Sequence, residues 1–145
     1  MKSELQAEAG VLRGGHHFLP QRVYYEDTDF SGFVYHASYL RLLERGRTEM
    51  LRALGVHQGE IHAGDAPFVF VVRGMTIEFL KPARMDDVVV VDTWTQDIGG
   101  ASMVLGQKLT RDDETLIAAE VRVAVVANGK PTRLPKDIRA RLVGA

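Results

Sequence analysis

The chain has 145 residues, a formal net charge of −1, 46% hydrophobic and 26% charged residues, and no cysteine. That length suits one domain around one packed core, and the near-neutral charge gives no electrostatic footprint for nucleic acid. The lack of cysteine excludes disulfides, thiolate metal sites and a cysteine nucleophile. No apolar run approaches the ~20 residues that a membrane-spanning helix requires, and the opening "MKSELQAEAG" has no apolar signal core, so a cytoplasmic protein is expected.

Residues 1–16 mix small, polar and charged residues with neither hydrophobic period and run into Gly-Gly-His-His at 14–17, which predicts a flexible tail ahead of a single domain over 17–145. Phe18, Val23, Tyr24 and Tyr25 predict a first strand, with Pro20 near its start where a missing N–H is tolerated. The acidic run Glu26, Asp27, Thr28, Asp29 then leads into "YHASYLRLLERGRTEMLRALG", residues 35–55, where Tyr39, Leu43, Met50 and Leu54 recur at helical steps, flanked by Leu40, Leu51 and Gly46. Gly55 is a natural stop for a helix of about five turns. Gly46 inside it implies a close backbone contact. Glu44, Arg45, Arg47, Glu49 and Arg52 read as a solvated, mutually paired face, for example Arg45 with Glu49.

After "HQGEIHAGDAP" the pattern turns β-rich, with strands expected at 68–80, 88–98, 102–110 and 115–127 separated by turn chemistry. Four strands in a row imply an antiparallel meander. Val121, Val123 and Val125 alternate onto one face, which needs a cover, and the long helix is the candidate. Residues 129–145 read as a short surface segment with a final turn of helix. The predicted fold class is α+β: a curved antiparallel five-stranded sheet wrapped around one long central helix. Its exposed edges predict at least a homodimer.

A helix N-terminus carries free N–H groups and partial positive charge, so it attracts anions and developing oxyanions. Tyr35, His36 and Ala37 are expected to begin the helix with their N–H groups free, facing Asp29 across Gly32. A carboxylate beside backbone donors suits attack on a carbonyl, with Asp29 deprotonating water or attacking directly, and an acyl ester or thioester is the natural substrate. The plainer alternative is that the acidic residues only cap the helix. His36 is alternatively a structural histidine. Asp29 with His36 as metal ligands is the weaker option, since His16, His17, His57 and His62 form no ligand pattern with them; no metal and no cofactor are expected. Asp86–Asp87 and Asp112–Asp113 fall in strand connections, where solvated turns are the default.

The run "RVYYEDTDFSGFVYHASYLRLLERGRTEML", with "FVVRGMTIEFLKPARMDD" and the terminal "LPKDIRARL", resembles the hotdog-fold acyl-CoA thioesterases of the 4-hydroxybenzoyl-CoA thioesterase family, in the branch associated with the bacterial Tol-Pal system. The resemblance spans about Gln21 to Leu142. It implies a hotdog domain forming a homodimer or homotetramer, and hydrolysis of an acyl-CoA, with acyl carrier protein as an alternative thioester carrier. It also implies that Asp29 is the catalytic carboxylate. Tyr25 and His36 match the other active-site positions, His36 offering both its side chain and its backbone N–H. Tyr35 is a substrate-binding candidate at the helix start, and Arg73, Lys81 and Arg84 are candidate phosphate contacts. The chain departs from the family in carrying Phe30, Ser31 and Phe33 just after the aspartate; Phe30 and Phe33 either shape the acyl pocket or pack in a dimer core. A hotdog hydratase or dehydratase and an acyl-thioester-binding scaffold with incidental hydrolysis are the competing readings.

Overall fold

The computed structural model describes residues 5–144. Within them lie β1 (Val11–Arg13), β2 (His16–Arg22), α1 (His36–Ala53), α2 (Gln58–His62), β3 (Val69–Phe79), β4 (Val88–Ile98), β5 (Ser102–Arg111), β6 (Glu114–Ala127), β7 (Lys130–Pro131) and α3 (Lys136–Val143). All strands join one antiparallel sheet in the order β1-β2-β4-β5-β6-β3, with β7 beside β6. The α+β architecture, a long helix against an antiparallel sheet, is the expected one. The expected five strands, one long helix and a final helical turn are corrected to seven strands and three helices among the described residues.

The additional strands come from turns whose residues tolerate positive φ. Gly14 and Gly15 have φ of 59° and 80°, so the Gly-Gly read as part of a loose tail is a hairpin turn of the kind that matches strand twist. Val11 pairs with Phe18 and Arg13 with His16, so the chain is ordered into the sheet well before residue 17; residues 1–4 of that expected tail lie outside the described residues. The first long strand accordingly runs from His16 to Arg22 rather than from Phe18 to Tyr25. At the other end, Asn128 and Gly129 turn β6 into β7.

The chain-order meander is also corrected. β3 pairs with β6 at the far edge, from Val69 opposite Val126 to Phe79 opposite Ile117, while β2 takes the place beside β4. Hydrophobic alternation fixes which face of a strand is buried but not its neighbour. β6, 14 residues long, has the length to pair with β5 on one side and β3 on the other.

The core lies between α1 and one face of the sheet. Val121, Val123 and Val125 are buried as their alternation predicts, together with Met50, Leu51, Met103 and Leu105. α1 buries Tyr39, Leu42, Leu43, Gly46, Met50 and Leu51, while Leu40 faces outward. The position of Gly46 explains this rotation: a Cβ there would overlap the Val91 side chain of β4, so the helix backbone rests directly on the strand. The expected close contact at Gly46 is therefore present. Arg47, read as part of a solvated face, is buried instead, and Glu49 pairs with Arg52 at 3.2 Å rather than with Arg45.

Gly55 ends the region of α1 as expected. The Val56 N–H donates to the Leu51 carbonyl at 2.8 Å and both side chains are buried, a hydrogen bond and apolar contact typical of a helix C-terminus. The C-terminal segment is not a surface appendage, because α3 inserts Ile138 and Leu142 into the core beside Met50. Among the described residues no helix is long and apolar enough to cross a membrane.

Candidate active site

The loop between β2 and α1 is built by its own polar residues. After β2 the chain makes a single 3-10 turn over Tyr25–Asp27. Asp27 is buried and closes that turn, its Oδ2 accepting the Tyr24 N–H at 2.9 Å while its carbonyl accepts the Tyr35 N–H at 2.9 Å. Asp27 is thus a structural staple. Thr28 bridges to Val34, and the Asp29 N–H donates to the Phe33 carbonyl at 3.0 Å. This brings Asp29 and the start of α1 together across a tight reversal. Gly32, with φ of 87°, makes the reversal possible; open space surrounds the position a Cβ would take, so backbone conformation is what requires glycine there.

The loop is fastened to the β3–β4 connection. Val34 donates to the Ala83 carbonyl at 2.9 Å, Phe33 bridges to Arg84, and the Ala83 N–H donates to the buried Tyr39 hydroxyl at 2.9 Å. Tyr39, which the sequence marks as core, thereby fixes the loop on which Arg84 sits. Burial pushes its hydroxyl pKa up.

Asp29 is exposed. Its Oδ1 accepts both the hydroxyl and the backbone N–H of Ser31, the latter at 2.8 Å. Those two bonds, with a smaller contribution from the charge of His36, hold its carboxyl below the usual aspartate value. Oδ2 has no hydrogen-bond partner among the described residues. His36 is the first residue of α1, its ring 4.5 Å from the Tyr35 ring and tilted 49° to it. The Tyr35 N–H, expected to be free, is taken by Asp27, and the Ser38 N–H is taken by the Tyr35 carbonyl at 2.8 Å. The N–H groups of His36 and Ala37 have no acceptor within the helix. An exposed carboxylate and a pair of free backbone donors therefore flank the same corner.

The other predicted residues divide. His36 and Lys81 line one surface depression of about 280 Å³ with Val34, Tyr39, Phe79, Leu80 and Pro82. Lys81 is paired with Glu114 at 2.7 Å, and the Arg84 guanidinium lies 4.9 Å over the Phe33 ring. Phe30 is fully exposed and Tyr25 is 82% exposed, on the outside of the loop. Arg73 sits within β3, several residues before Phe79, so this chain does not bring it to Lys81. Among the described residues no three His, Asp or Glu side chains gather as a metal site.

A profile of the thioesterase superfamily matches residues 31–118. The chain belongs to the thioesterase superfamily. An acyl-CoA thioesterase YbgC of Haemophilus influenzae is 41% identical over 132 residues, covering 90% of this chain and 96% of its own. An acyl-CoA thioester hydrolase YbgC of Escherichia coli is 46% identical over 124 residues, covering 83% and 91%. The crystal structure of a probable thioesterase from Bartonella henselae superposes with a TM-score of 0.80 at 40% identity, covering 83% of this chain and 99% of that one.

Two features of this thioesterase escape a reading of its sequence. Asp87, placed in a solvated turn, accepts from the Arg84 N–H at 2.9 Å and from Arg111 at 2.8 Å, and Arg111 also pairs with Glu114 at 3.0 Å. This ion network anchors the connection that carries Lys81 and Arg84. Arg47 forms the second, a buried bond to Gln107 at 3.0 Å. In sequence, only their position inside an otherwise apolar stripe and strand signals that either polar residue is buried.

Proposed function

We propose that this chain hydrolyses acyl-CoA thioesters to a free carboxylic acid and coenzyme A, with Asp29 as the reacting carboxylate and the His36 and Ala37 N–H groups as oxyanion donors. The names of the YbgC relatives support the thioester class and the coenzyme A carrier. The observation that supports the mechanism is the asymmetry of Asp29: Ser31 occupies Oδ1, and Oδ2 is left free beside the start of α1.

In this mechanism the thioester carbonyl oxygen sits on the free N–H groups, where the helix terminus stabilises the charge that develops on it. Asp29 accepts a proton from water as the water oxygen bonds to the carbonyl carbon, and the C–S bond then breaks. The proton passes to the departing thiolate, giving acid and free thiol. Direct attack by Asp29 on the carbonyl reaches the same products through an anhydride that water cleaves. The His36 ring assists, Tyr25 borders the site, and Tyr35, Phe33 and Phe30 contact substrate. Lys81 and Arg84, with Arg73 from a second subunit, meet the phosphates. Coenzyme A esters are the cytoplasmic form of activated acyl groups, and we place the protein there.

A homodimer, itself able to pair into a tetramer, follows from β3. One edge of this strand has no partner among the described residues, and Val69, Val71, Val72, Phe79 and the following Leu80 are exposed along it. An open apolar edge of this length is a liability that pairing with a second copy removes.

Thiol release from acyl-CoAs of graded length, with native protein against Asp29→Asn, tests the reading. Loss of at least ~100-fold in a folded variant is expected. Native protein that releases no thiol above background would make this an acyl-thioester-binding protein instead.

A further inference from the structure

A second cavity, of about 260 Å³, lies at the other end of α1. Leu51 from α1, Phe70 from β3, Met103 and Leu105 from β5, and Val123 from β6 form its apolar side, and Glu44, Thr48 and Gln58 form a polar one. Arg47 also lines it and is only 8% exposed. A guanidinium has five N–H donors, and here a single one is used, from Nη1 to Gln107 Oε1 at 3.0 Å.

Gln107 cannot supply more. It is fully buried, and its amide nitrogen donates to the Leu43 carbonyl at 2.8 Å and to Thr93 Oγ1 at 2.9 Å, which fixes its oxygen toward Arg47. No carboxylate lies within ion-pair distance of Arg47 among the described residues. Glu44, one helical turn earlier, stands exposed at the rim, where solvent screens its charge. Burial pulls the Arg47 guanidinium below its ordinary value, and Glu44 only opposes that pull. Among the described residues no Arg47 nitrogen is both buried and unpartnered, so the donors that Gln107 leaves unused open onto the cavity.

The cavity and the depression at the candidate active site are separate and share no lining residue, but each has α1 on one side and β3 on the other: His36, Tyr39 and Phe79 line the one, and Arg47, Leu51 and Phe70 line the other. Between α1 and β3 the Tyr39 and Phe79 rings meet with centroids 5.8 Å apart. The rise of a helix puts Arg47 ~16 Å along the axis from His36. An acyl chain that follows this seam from the thioester carbonyl would meet the cation at that distance.

We propose that this cavity receives the distal end of the acyl group and that Arg47 selects acyl chains ending in a carboxylate, the mono-coenzyme A esters of dicarboxylic acids. The inference rests on the hydrolase reading given above. An alkyl terminus leaves the guanidinium donors unsatisfied, whereas a carboxylate accepts two of them in a planar pair.

The test compares kcat/KM for acyl-CoAs matched in chain length, one of each pair ending in methyl and the other in carboxylate, across short, medium and long chains. At the length that reaches the cavity, native protein is expected to prefer the carboxylate-ended ester by ~10-fold or more, as a charge-assisted hydrogen-bonded pair allows. In Arg47→Met that ratio falls by at least ~10-fold, with Arg47→Lys between the two. A clamp that only holds α1 on the sheet would change both members of a pair equally, so an unchanged ratio overturns the proposal, as does a native preference for methyl termini at every length. A second readout uses native protein alone and needs no hydrolysis: the rise in melting temperature with free dicarboxylic acids against monocarboxylic acids of equal length. A larger rise with the diacids supports the site even if no thioester is cleaved. Equal rises, or none, overturn it while leaving the hydrolase reading intact.

Discussion

Ser31 holds one oxygen of Asp29 with its backbone N–H and its hydroxyl, and the second oxygen faces solvent. Bonds to the ionised form favour that form, so they lower the pKa and fix the carboxylate's orientation at once. The sequence marks Ser31 only as a departure from the smaller residues usual beside the aspartate. In the structure it orients the Asp29 carboxylate.

Removing the hydroxyl therefore has a signed consequence. In native protein the acid limb of kcat/KM should lie below the ordinary aspartate range, because the carboxylate resists protonation. In Ser31→Ala the hydroxyl bond is lost while the backbone bond stays, and the limb should move toward higher pH. Near neutrality Asp29 is ionised in both, so the two profiles should converge in shape there. A pH series on both proteins checks this; coincident acid limbs would mean that Asp29 ionisation does not govern the rate.

Phe33 carries the Arg84 guanidinium at 4.9 Å and stands between the aspartate loop and the β3–β4 connection. Phe33→Ala should release Arg84 and raise KM for coenzyme A esters by ~2- to 5-fold, in line with an exposed cation–π contact of ~0.5–1 kcal/mol. It should also shift the preferred acyl length. An unchanged length profile would count against a pocket role for this ring.

The parts of the molecule that local chemistry determines were legible in the sequence, and the parts decided by distant partners were not. Hydrophobic period located α1 and the four long strands, and the polar run ahead of the helix located the corner where the Asp29 loop meets the start of α1. The same reasoning placed β3 beside β4, because alternation says nothing about which edge a strand pairs with. It read Gly14-Gly15 as slack, because a hairpin turn carries no hydrophobic signal of its own. It put Arg47 in solvent, because the burial of one arginine depends on Gln107, 60 residues away.

The network around Arg111 should set the protein's acid tolerance. Glu114 is held below the usual glutamate value, chiefly by Lys81, and Asp87 below the usual aspartate value because its bonds from Arg84 and Arg111 outweigh the opposing effect of burial. Groups with depressed folded pKa values stabilise the fold above their unfolded pKa values, and that contribution is lost as pH falls through the folded ones. Melting temperature should thus decline as pH drops below the ordinary carboxylate range. Arg111→Gln should melt lower than native near neutrality, and the gap should narrow in acid. Parallel melting curves across pH would show that the network does not contribute.

The free edge of β3 predicts how assembly fails. Val69→Lys with Val71→Lys places two charges on that strand, a device by which edge strands resist pairing. Sedimentation should show native protein as a dimer or larger and the variant shifted toward monomer. If the phosphates of the substrate are met by Arg73 across this edge, activity should fall with the dimer; a monomer of native activity would confine the site to one chain.

Gly46 sets the distance between α1 and β4, and two opposing effects decide its replacement. Alanine is the better helix former by ~1 kcal/mol. Its Cβ, however, would overlap Val91 Cγ1 and press on Thr93 Oγ1 at 3.0 Å, and neither side chain is a flexible end that can swing away. Overpacking of a close-packed core costs about 1–3 kcal/mol, so the clash wins and Gly46→Ala should lower stability by ~1 kcal/mol, a fall of roughly 2–8 °C in melting temperature for a domain of this order of size. The displacement should also reach Gln107, which bonds both Thr93 and the α1 backbone at Leu43. Arg47 would then lose its fixed partner, so the variant should lose selectivity for the acyl terminus more than it loses turnover. A Gly46→Ala protein more stable than native would mean that α1 stands off the sheet, and that the cavity beside Arg47 is not held by this contact.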